Sequence, residues 1–401
     1  MLRWRSWEMA ALALLEDLAN GRIRRERLFR DHYDFLAHDD DWLISRFRFP
    51  RAVLLELCAE LGPVLEREAV RSRASPVPLQ VLTALGFLAT GSFQRGLADR
   101  SGISQSSLSC AMPAVLDGII CMSARYIKFP YDAVDQANIK AQFAAIAGFP
   151  NVIGAIDCTH TAIKAPSEEE FADVNRKHFH SINVQIICDA KMCLTNVAAR
   201  WPGSAQDSYI LTNSVVGKRL QAGRARDGWL LDSGYALQTW LMTPLCNPQT
   251  DRERRYNSLH SRTRSVVERA IGQLKSRWRC LDRTGGMLLY RPEKVCRIVR
   301  ACGVLHNVAH RYAVPLLEVV EQPADPEPGQ MRSLTQDSRH QDTAGWTDIS
   351  CWQVGRAGGL RDARCTRDAG GASQVCGSRL RLRVLSGFSP PQYRQLSGQM
   401  E

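Results

Sequence analysis

The pattern of apolar and polar positions changes character along the chain. Up to about residue 130 apolar residues recur every three or four positions. From about 150 they gather into short runs rich in β-branched residues. The first spacing predicts helices and the second predicts strands. Met9–Leu18 and Val53–Leu61 carry the helical spacing, separated by the charged segment Asp31–Arg48. Pro50 suits the first turn of the second helix, and Gly62-Pro63 would end or kink it. Arg71-Ser-Arg-Ala-Ser-Pro-Val-Pro78 reads as a linker. Leu79–Leu88 is a strongly apolar helix. Phe93–Leu108 has the form of a helix-turn-helix. A short helix holds Leu97 and Ala98, Gly102 sits in the turn, and Ile103 is buried after it. Ser104 caps a second helix that exposes Gln105, Ser106 and Ser107. An ordinary helical hairpin would carry the same signals. Ala114–Tyr126 continues the helical region and Phe129-Pro130 closes it.

The strand region opens with Val152-Ile-Gly-Ala-Ile-Asp157, predicted to end at its carboxylate. Ile182–Asp189 and Leu194–Trp201 are the second and third strands, paired as a hairpin. Ser204–Leu211 begins a helix. Trp229-Leu-Leu-Asp232 and Trp240–Leu245 are further short strands. Ser261–Cys280 and Glu293–Val314 are long helices, the latter with Val295, Ile298, Val299, Cys302, Leu305 and Ala309 on one face. Beyond about Val320 the apolar residues are isolated among Gly, Arg, Ser, Gln and Asp, so 320–401 is expected to be a disordered tail. The expected architecture is therefore α/β. A helical N-terminal domain (1–130) holds the candidate helix-turn-helix (79–126), and a mixed sheet flanked by helices occupies 150–315.

Composition narrows the function. The chain has 401 residues, with 52 Lys+Arg against 41 Asp+Glu and a net charge of +11. A basic surplus favours a polyanionic partner. Thirteen cysteines are scattered without a CxxC pair, and no secretory signal is evident. Free thiols in a reducing nucleus or cytoplasm are expected. No membrane partner is expected, because no uncharged apolar run reaches the length of a span.

Four acids stand where chemistry could use them. Asp157 and Asp232 end strands, Asp207 lies in Pro202-Gly-Ser-Ala-Gln-Asp207-Ser, and Glu268 lies in Arg264-Ser-Val-Val-Glu268-Arg-Ala. Phosphodiester cleavage by two divalent ions about 4 Å apart needs such a set. Mg²⁺ or Mn²⁺ takes oxygen ligands, so carboxylates from separate elements suit it. Taken singly, each acid also has a structural reading. Asp207 and Asp232 could be cap and turn residues, and Glu268 could pair with Arg264 or Arg269. Lys164, Arg176, Lys177, Arg264, Arg269, Lys275, Arg277 and Arg279 border these acids in sequence. Of these, Lys164, Lys177, Arg264 and Lys275 are the candidate DNA contacts. Cys302, His306 and His310 have metal-ligand spacing but share a helix face with the apolar stripe, which favours a core role. His178 and His180 flank Phe179 and are expected to make solvent or backbone contacts.

Gly154-Ala-Ile-Asp157-Cys-Thr-His160, Gly203-Ser-Ala-Gln-Asp207-Ser, Leu231-Asp232-Ser-Gly-Tyr235 and Val266-Val-Glu268-Arg-Ala-Ile-Gly-Gln-Leu-Lys275-x-Arg277-Trp278 together resemble the PIF/Harbinger-type DDE transposase superfamily. They look nearest to its domesticated vertebrate branch. The resemblance spans roughly 30–315, with the motifs in the family's order. It implies an RNase H-like core and divalent-metal nuclease chemistry. Asp157, Asp232 and Glu268 would be the catalytic set, and Asp207 a fourth metal ligand beside them. Leu231 stands where the family usually has Gly. The resemblance also implies a nuclear Myb-like DNA-binding partner.

The leading expectation is a metal-dependent DNA endonuclease of transposase origin, in nucleus and cytoplasm. Two other readings compete with it: a catalytically silent DNA-binding or scaffold protein, and a hydrolase of small phosphate esters. The intact acid set speaks against the first, and the basic surplus against the second.

Overall fold

The computed structural model describes residues 15–16, 32–66, 75–166, 170–225 and 228–316. The expectations for most of Met9–Leu18, for 71–74 and for the tail after 320 lie outside the described residues. Among the described residues from 32 on, seven helices precede the sheet: α1 (Asp40–Phe47), α2 (Arg51–Leu65), α3 (Val77–Thr90), α4 (Gln94–Arg100), α5 (Gln105–Cys121), α6 (Ser123–Tyr126) and α7 (Ala133–Ala147). Pro50 is the N-cap of α2 rather than a first-turn residue. Pro63 sits inside that helix, which runs on to Leu65. Val77 and Pro78 belong to α3, not to a linker, because a proline near a helix start gives up no hydrogen bond.

The turn between α4 and α5 has the glycine and the serine cap that its residues suggest. Gly102 adopts φ +69° between α4 and α5, and Ser104 Oγ accepts from the Ser107 amide. Ile103 packs half-buried against the core. Gln105–Tyr126 is long and apolar enough to cross a membrane by length and composition, although Asp117 and Arg125 interrupt its uncharged run. In the fold its apolar face, with Leu108, Met112, Val115, Leu116 and Ile119, is fully buried as a core helix.

The sheet has five strands: β1 (Val152–Ala162), β2 (Ser181–Cys188), β3 (Leu194–Pro202), β4 (Trp229–Leu231) and β5 (Leu241–Met242). Their order is β3-β2-β1-β4-β5. β1 pairs antiparallel with β2, and β2 with β3. β1 and β4, and β4 and β5, are parallel. This is the mixed, RNase H-like sheet flanked by helices. One expectation fails: Asp157 does not end β1. The strand continues to Ala162, because the hairpin partner β2 carries the pairing on from Asp157↔Ile186 to Ala162↔Ser181. What ends near Asp157 is β4, which stops at Leu231 opposite Ala155. Buried Leu231 fits that strand. β5 is shorter than Trp240–Leu245.

Two short helices, α8 (Asp207–Asn213) and α9 (Val215–Gln221), follow β3. The long helix α10 spans Asp251–Arg277, starting ten residues before the expected Ser261. Its true start is a capping box: Thr250 Oγ1 accepts from the Glu253 amide while Glu253 accepts from the Thr250 amide. α11 (Pro292–Arg311) is the last described helix.

α10 and α11 pack the sheet and the N-terminal helices into one buried cluster, from Leu43 through Trp278 to Val308. Polar groups pin that junction. The Asn307 amide on α11 donates to Leu194 O (2.7 Å) and Tyr126 O (2.8 Å), and its Oδ1 accepts from Leu194 N. Arg48 donates to Arg277 O and Ala89 O. A smaller core on the other sheet face gathers Ile153, Ile156, Ile187, Leu211, Val216 and Leu230 under α8 and α9.

Gly203 fixes how the chain leaves β3 for Asp207. A Cβ there would stand 2.4 Å from Asp173 O and 2.8 Å from Ser181 O, both backbone atoms that cannot swing aside. Gly203→Ala is expected to destabilise the fold by about 1–3 kcal/mol, the usual cost of overpacking. Urea denaturation checks this, with Gly223→Ala as the contrast: Gly223 has open space around it but a positive φ, so its smaller loss would come from backbone strain alone.

Candidate active site

Three of the four acids meet at one cation. Arg264, at the middle of α10, places Nη2 3.2 Å from Asp157 Oδ1, Nε 3.5 Å from Asp232 Oδ1 and Nη1 2.5 Å from Glu268 Oε1. The elements bring them there for separate reasons. Asp157 is on the central strand, just past the point where β4 stops. Asp232 follows β4 directly. Arg264 and Glu268 are one turn apart on α10 and share a face.

Asp232 resolves its two readings oxygen by oxygen. Oδ2 accepts from the Gly234 and Tyr235 amides and forms the turn, while Oδ1 faces Arg264. Glu268 likewise pairs with Arg264 and stands in the acid cluster. The side chains grade outward in exposure: Asp232 5%, Arg264 13%, Asp157 28% and Glu268 57%.

The charges do not balance. Burial pushes the Asp157 carboxyl up to about 6. Arg264 and the Cys158 amide (2.9 Å) pull it down, and Asp232 and Glu268 push it up again. At Arg264 burial lowers the pKa, but the three carboxylates outweigh it and hold the guanidinium above its ordinary value. One positive charge therefore serves three negative ones. Such a set, all hard oxygen donors, fits a divalent cation. Among the described residues no group of three or more His, Cys, Asp or Glu is arranged to hold a metal as it stands. The three acids are instead drawn around Arg264.

Asp207 is placed elsewhere. Side chains alternate along a strand, so Cys158 and His160 point to the opposite face of β1 from Asp157. Asp207, in the first turn of α8, lies on that face. Its Oδ1 accepts from Asn183 Nδ2 (2.9 Å), and its charge is felt by Cys158 and His160. Around it, Cys158 Sγ is 3.5 Å from Tyr235 Oη, Gln185 Nε2 donates to Tyr235 Oη (3.3 Å), and His160 Nδ1 is 3.0 Å from Ser181 Oγ. Burial raises the Cys158 thiol and lowers His160. The sequence pattern marks Asn183 and Gln185 only as strand residues. Two polar residues alternating with Ile182, Val184 and Ile186 on a buried strand were the available signal.

The candidate DNA contacts separate in the same way. Arg264 is in the acid cluster. Lys275 Nζ donates to His160 O (2.9 Å), tying α10 to β1, and burial lowers its pKa. Lys177 is exposed beside the same region and depresses both His160 and Lys275. Lys164 is exposed just past β1, its amide bonded to Leu288 O. The weaker signals resolve into structure. His306 Nε2 meets Met192 O, and burial lowers its pKa to about 3. His310 meets Gln273, and Cys302 lies in the core 3.9 Å from Cys280 Sγ. His178 takes a positive φ in a turn, and His180 bridges to Val174. The described cysteines are all free.

Comparison with known proteins identifies the family of the chain. Residues 156–307 match the DDE superfamily endonuclease family. A Homo sapiens protein named "Putative nuclease HARBI1" is 43% identical over 301 residues, covering 74% of this chain and 86% of the relative. Its Rattus norvegicus counterpart is 42% identical over the same extent. An Arabidopsis thaliana protein named "Protein ALP1-like" is 29% identical over 281 residues, 64% of this chain and 65% of its own. No solved structure matches the chain.

The raised Asp157 pKa has a signed consequence. Between its ordinary 3.8 and about 6, the folded state binds this proton more tightly than the unfolded state does. Asp157 thus contributes stability at low pH that is lost as pH rises through that window. In chelator, wild type is expected to lose more melting temperature than Asp157→Asn between pH 4 and pH 6.5. Parallel melting profiles for the two proteins would contradict the assignment.

Proposed function

The chain belongs to the harbinger transposase-derived nucleases of the DDE superfamily, and on that premise we propose that it is a divalent-metal-dependent DNA endonuclease. The observation that carries the reading is the convergence of Asp157, Asp232 and Glu268, from three separate elements, on one cationic position. These three would hold Mg²⁺ or Mn²⁺, which when bound supplies Lewis-acid activation of water and stabilises the leaving oxygen, in a two-ion arrangement for hydrolysis. Asp207, on the far face of β1, contributes by fixing the Asn183 amide.

The chain's own residues set up the site. Asp232 is held by the Gly234 and Tyr235 amides, so its free oxygen is aimed before any substrate arrives. Lys275 fixes α10 against β1 and so sets the distance from Glu268 to Asp157. Arg264 prevents mutual repulsion of the carboxylates and seeks the same oxygens a metal would. Once displaced from them, a guanidinium at this place faces a DNA phosphate, which it can grip with two parallel hydrogen bonds. The helical segment to about 130, with its helix-turn-helix, acts as a second DNA contact. A Myb-like protein supplies target choice, in the nucleus as well as the cytoplasm.

One observation favours a second reading, the catalytically silent DNA-binding scaffold: Arg264 already neutralises part of the acid cluster. Nicking of supercoiled DNA in Mn²⁺ decides between them. The nuclease reading expects nicking by wild type, none by Asp157→Asn, and a loss of about a hundredfold in Glu268→Gln with DNA binding kept, as when a key electrostatic stabiliser is removed. Metal binding gives a separate check through melting temperature, since a ligand of the folded state raises it. Mn²⁺ should raise the melting temperature of wild type and leave Asp157→Asn unmoved. Arg264→Met should be less stable without metal and gain more from Mn²⁺ than wild type. A smaller gain in Arg264→Met would mean that Arg264 does not compete for the metal's ligands.

A further inference from the structure

We infer that the open face of α10 is a track for the DNA backbone, with Arg255, Arg262 and Arg269 as its phosphate contacts. The inference rests on the DNA endonuclease reading and extends it to residues outside the acid cluster. The three arginines are spaced seven apart. On an α-helix seven residues make nearly two turns, so the three fall on one stripe, each about 10 Å beyond the last. All three are exposed. Among the described residues none of their side chains has a hydrogen-bond or ion-pair partner, whereas Arg254 and Arg264 on the same helix are paired.

An unpaired row of like charges along one stripe does nothing for the fold, because neighbours two turns apart only repel. It suits a polyanion whose charges are also in a row. DNA is such a polyanion, with one phosphate per nucleotide along each strand.

Between the arginine stripe and the acid cluster, the helix surface is low. Ser261 and Ser265 lie there, with Gly272, around which a Cβ would find nothing within 4 Å. A strand held by the arginines can therefore approach the helix closely. Glu268 is on the opposite edge of this strip from Arg269, so the strand bound along the track passes the carboxylates. Rigid helical placement fixes the register between grip and cut.

The test is DNA binding in chelator, which separates binding from cleavage. Fluorescence anisotropy with a short duplex across a salt series compares wild type with Arg255→Gln, Arg262→Gln, Arg269→Gln and the triple variant. Arg224→Gln, at an exposed arginine distant in sequence from the track and without a side-chain partner among the described residues, is the control. The slope of log affinity against log salt should fall by about 0.9 for each track arginine removed, since each phosphate contact releases about that many counterions. Arg224→Gln should keep the wild-type slope. Melting temperatures should not change, because no partner is lost.

If wild type binds duplex and the triple variant keeps its slope, the track is wrong while the nuclease reading stands. If wild type itself binds without salt dependence, the DNA reading beneath it fails too. If the variants lose binding to polyglutamate but not to duplex, the face belongs to an acidic protein, which also overturns the track.

Discussion

One guanidinium among three carboxylates is the constraint on which the rest of the site depends. Desolvating a carboxylate without a partner costs several kcal/mol, and Asp232 is nearly buried. The fold meets this by supplying charge from α10, a helix long enough to cross the sheet and held in place along much of its length. Its start is fixed by the Thr250–Glu253 capping box, its middle by Val266, Val267 and Ala270 in the core, and its end by Lys275 on His160 O and Trp278 in the core. A looser helix would let Arg264 wander and leave the aspartates to neutralise by taking up protons. The Asp157 carboxyl is already partway there. The cluster is held together by a charge that only partly satisfies it, and this is what makes it receptive to a stronger one.

Much of this was legible in the residues, and the failures have physical causes. Hydrophobic runs located all five strands, because buried strands must be apolar. Their ends were less visible. β1 runs past Asp157 since its pairing with β2, a long-range property, outlasts the apolar run. The start of α10 was missed because its first ten residues hold only Tyr256 and Leu259 as apolar positions, too few to mark a stripe. The Thr250-x-x-Glu253 signature was the readable clue. The acids Asp157, Asp232 and Glu268 were found through motif and spacing, and the structure brings them together. The placement of Asp207 on the other face of β1 follows from the two-residue alternation of a strand combined with where α8 packs. The second of these is a tertiary fact that no local pattern carries.

The same reasoning separates residues that look alike in sequence. Arg264, Arg269, Lys275 and Arg277 all border Glu268 on one helix, yet each turn of the helix gives them a different task. Arg264 faces carboxylates, Lys275 a backbone carbonyl, Arg277 the Val314 and Pro315 carbonyls at the end of α11, and Arg269 faces solvent. Burial lowers the pKa of Lys275, and takes that of Arg277 down to about 10, so neither is a free surface charge. A count of basic residues near an active site therefore overstates how many can reach a substrate.

The parallel pairing of β1 with β4 also sets the order in which the acid cluster is completed during synthesis. Parallel neighbours need a crossover, and here the crossover contains β2, β3, α8 and α9. The carboxylate of Asp157 leaves the ribosome long before that of Asp232, and both precede α10. α11, whose Asn307 clamps β3 to the N-terminal helices, comes last. A nascent or prematurely terminated chain that stops short of α10 has the aspartates but neither Arg264 nor Glu268. Assembly of the acid cluster is thereby tied by topology to synthesis of the chain through α10.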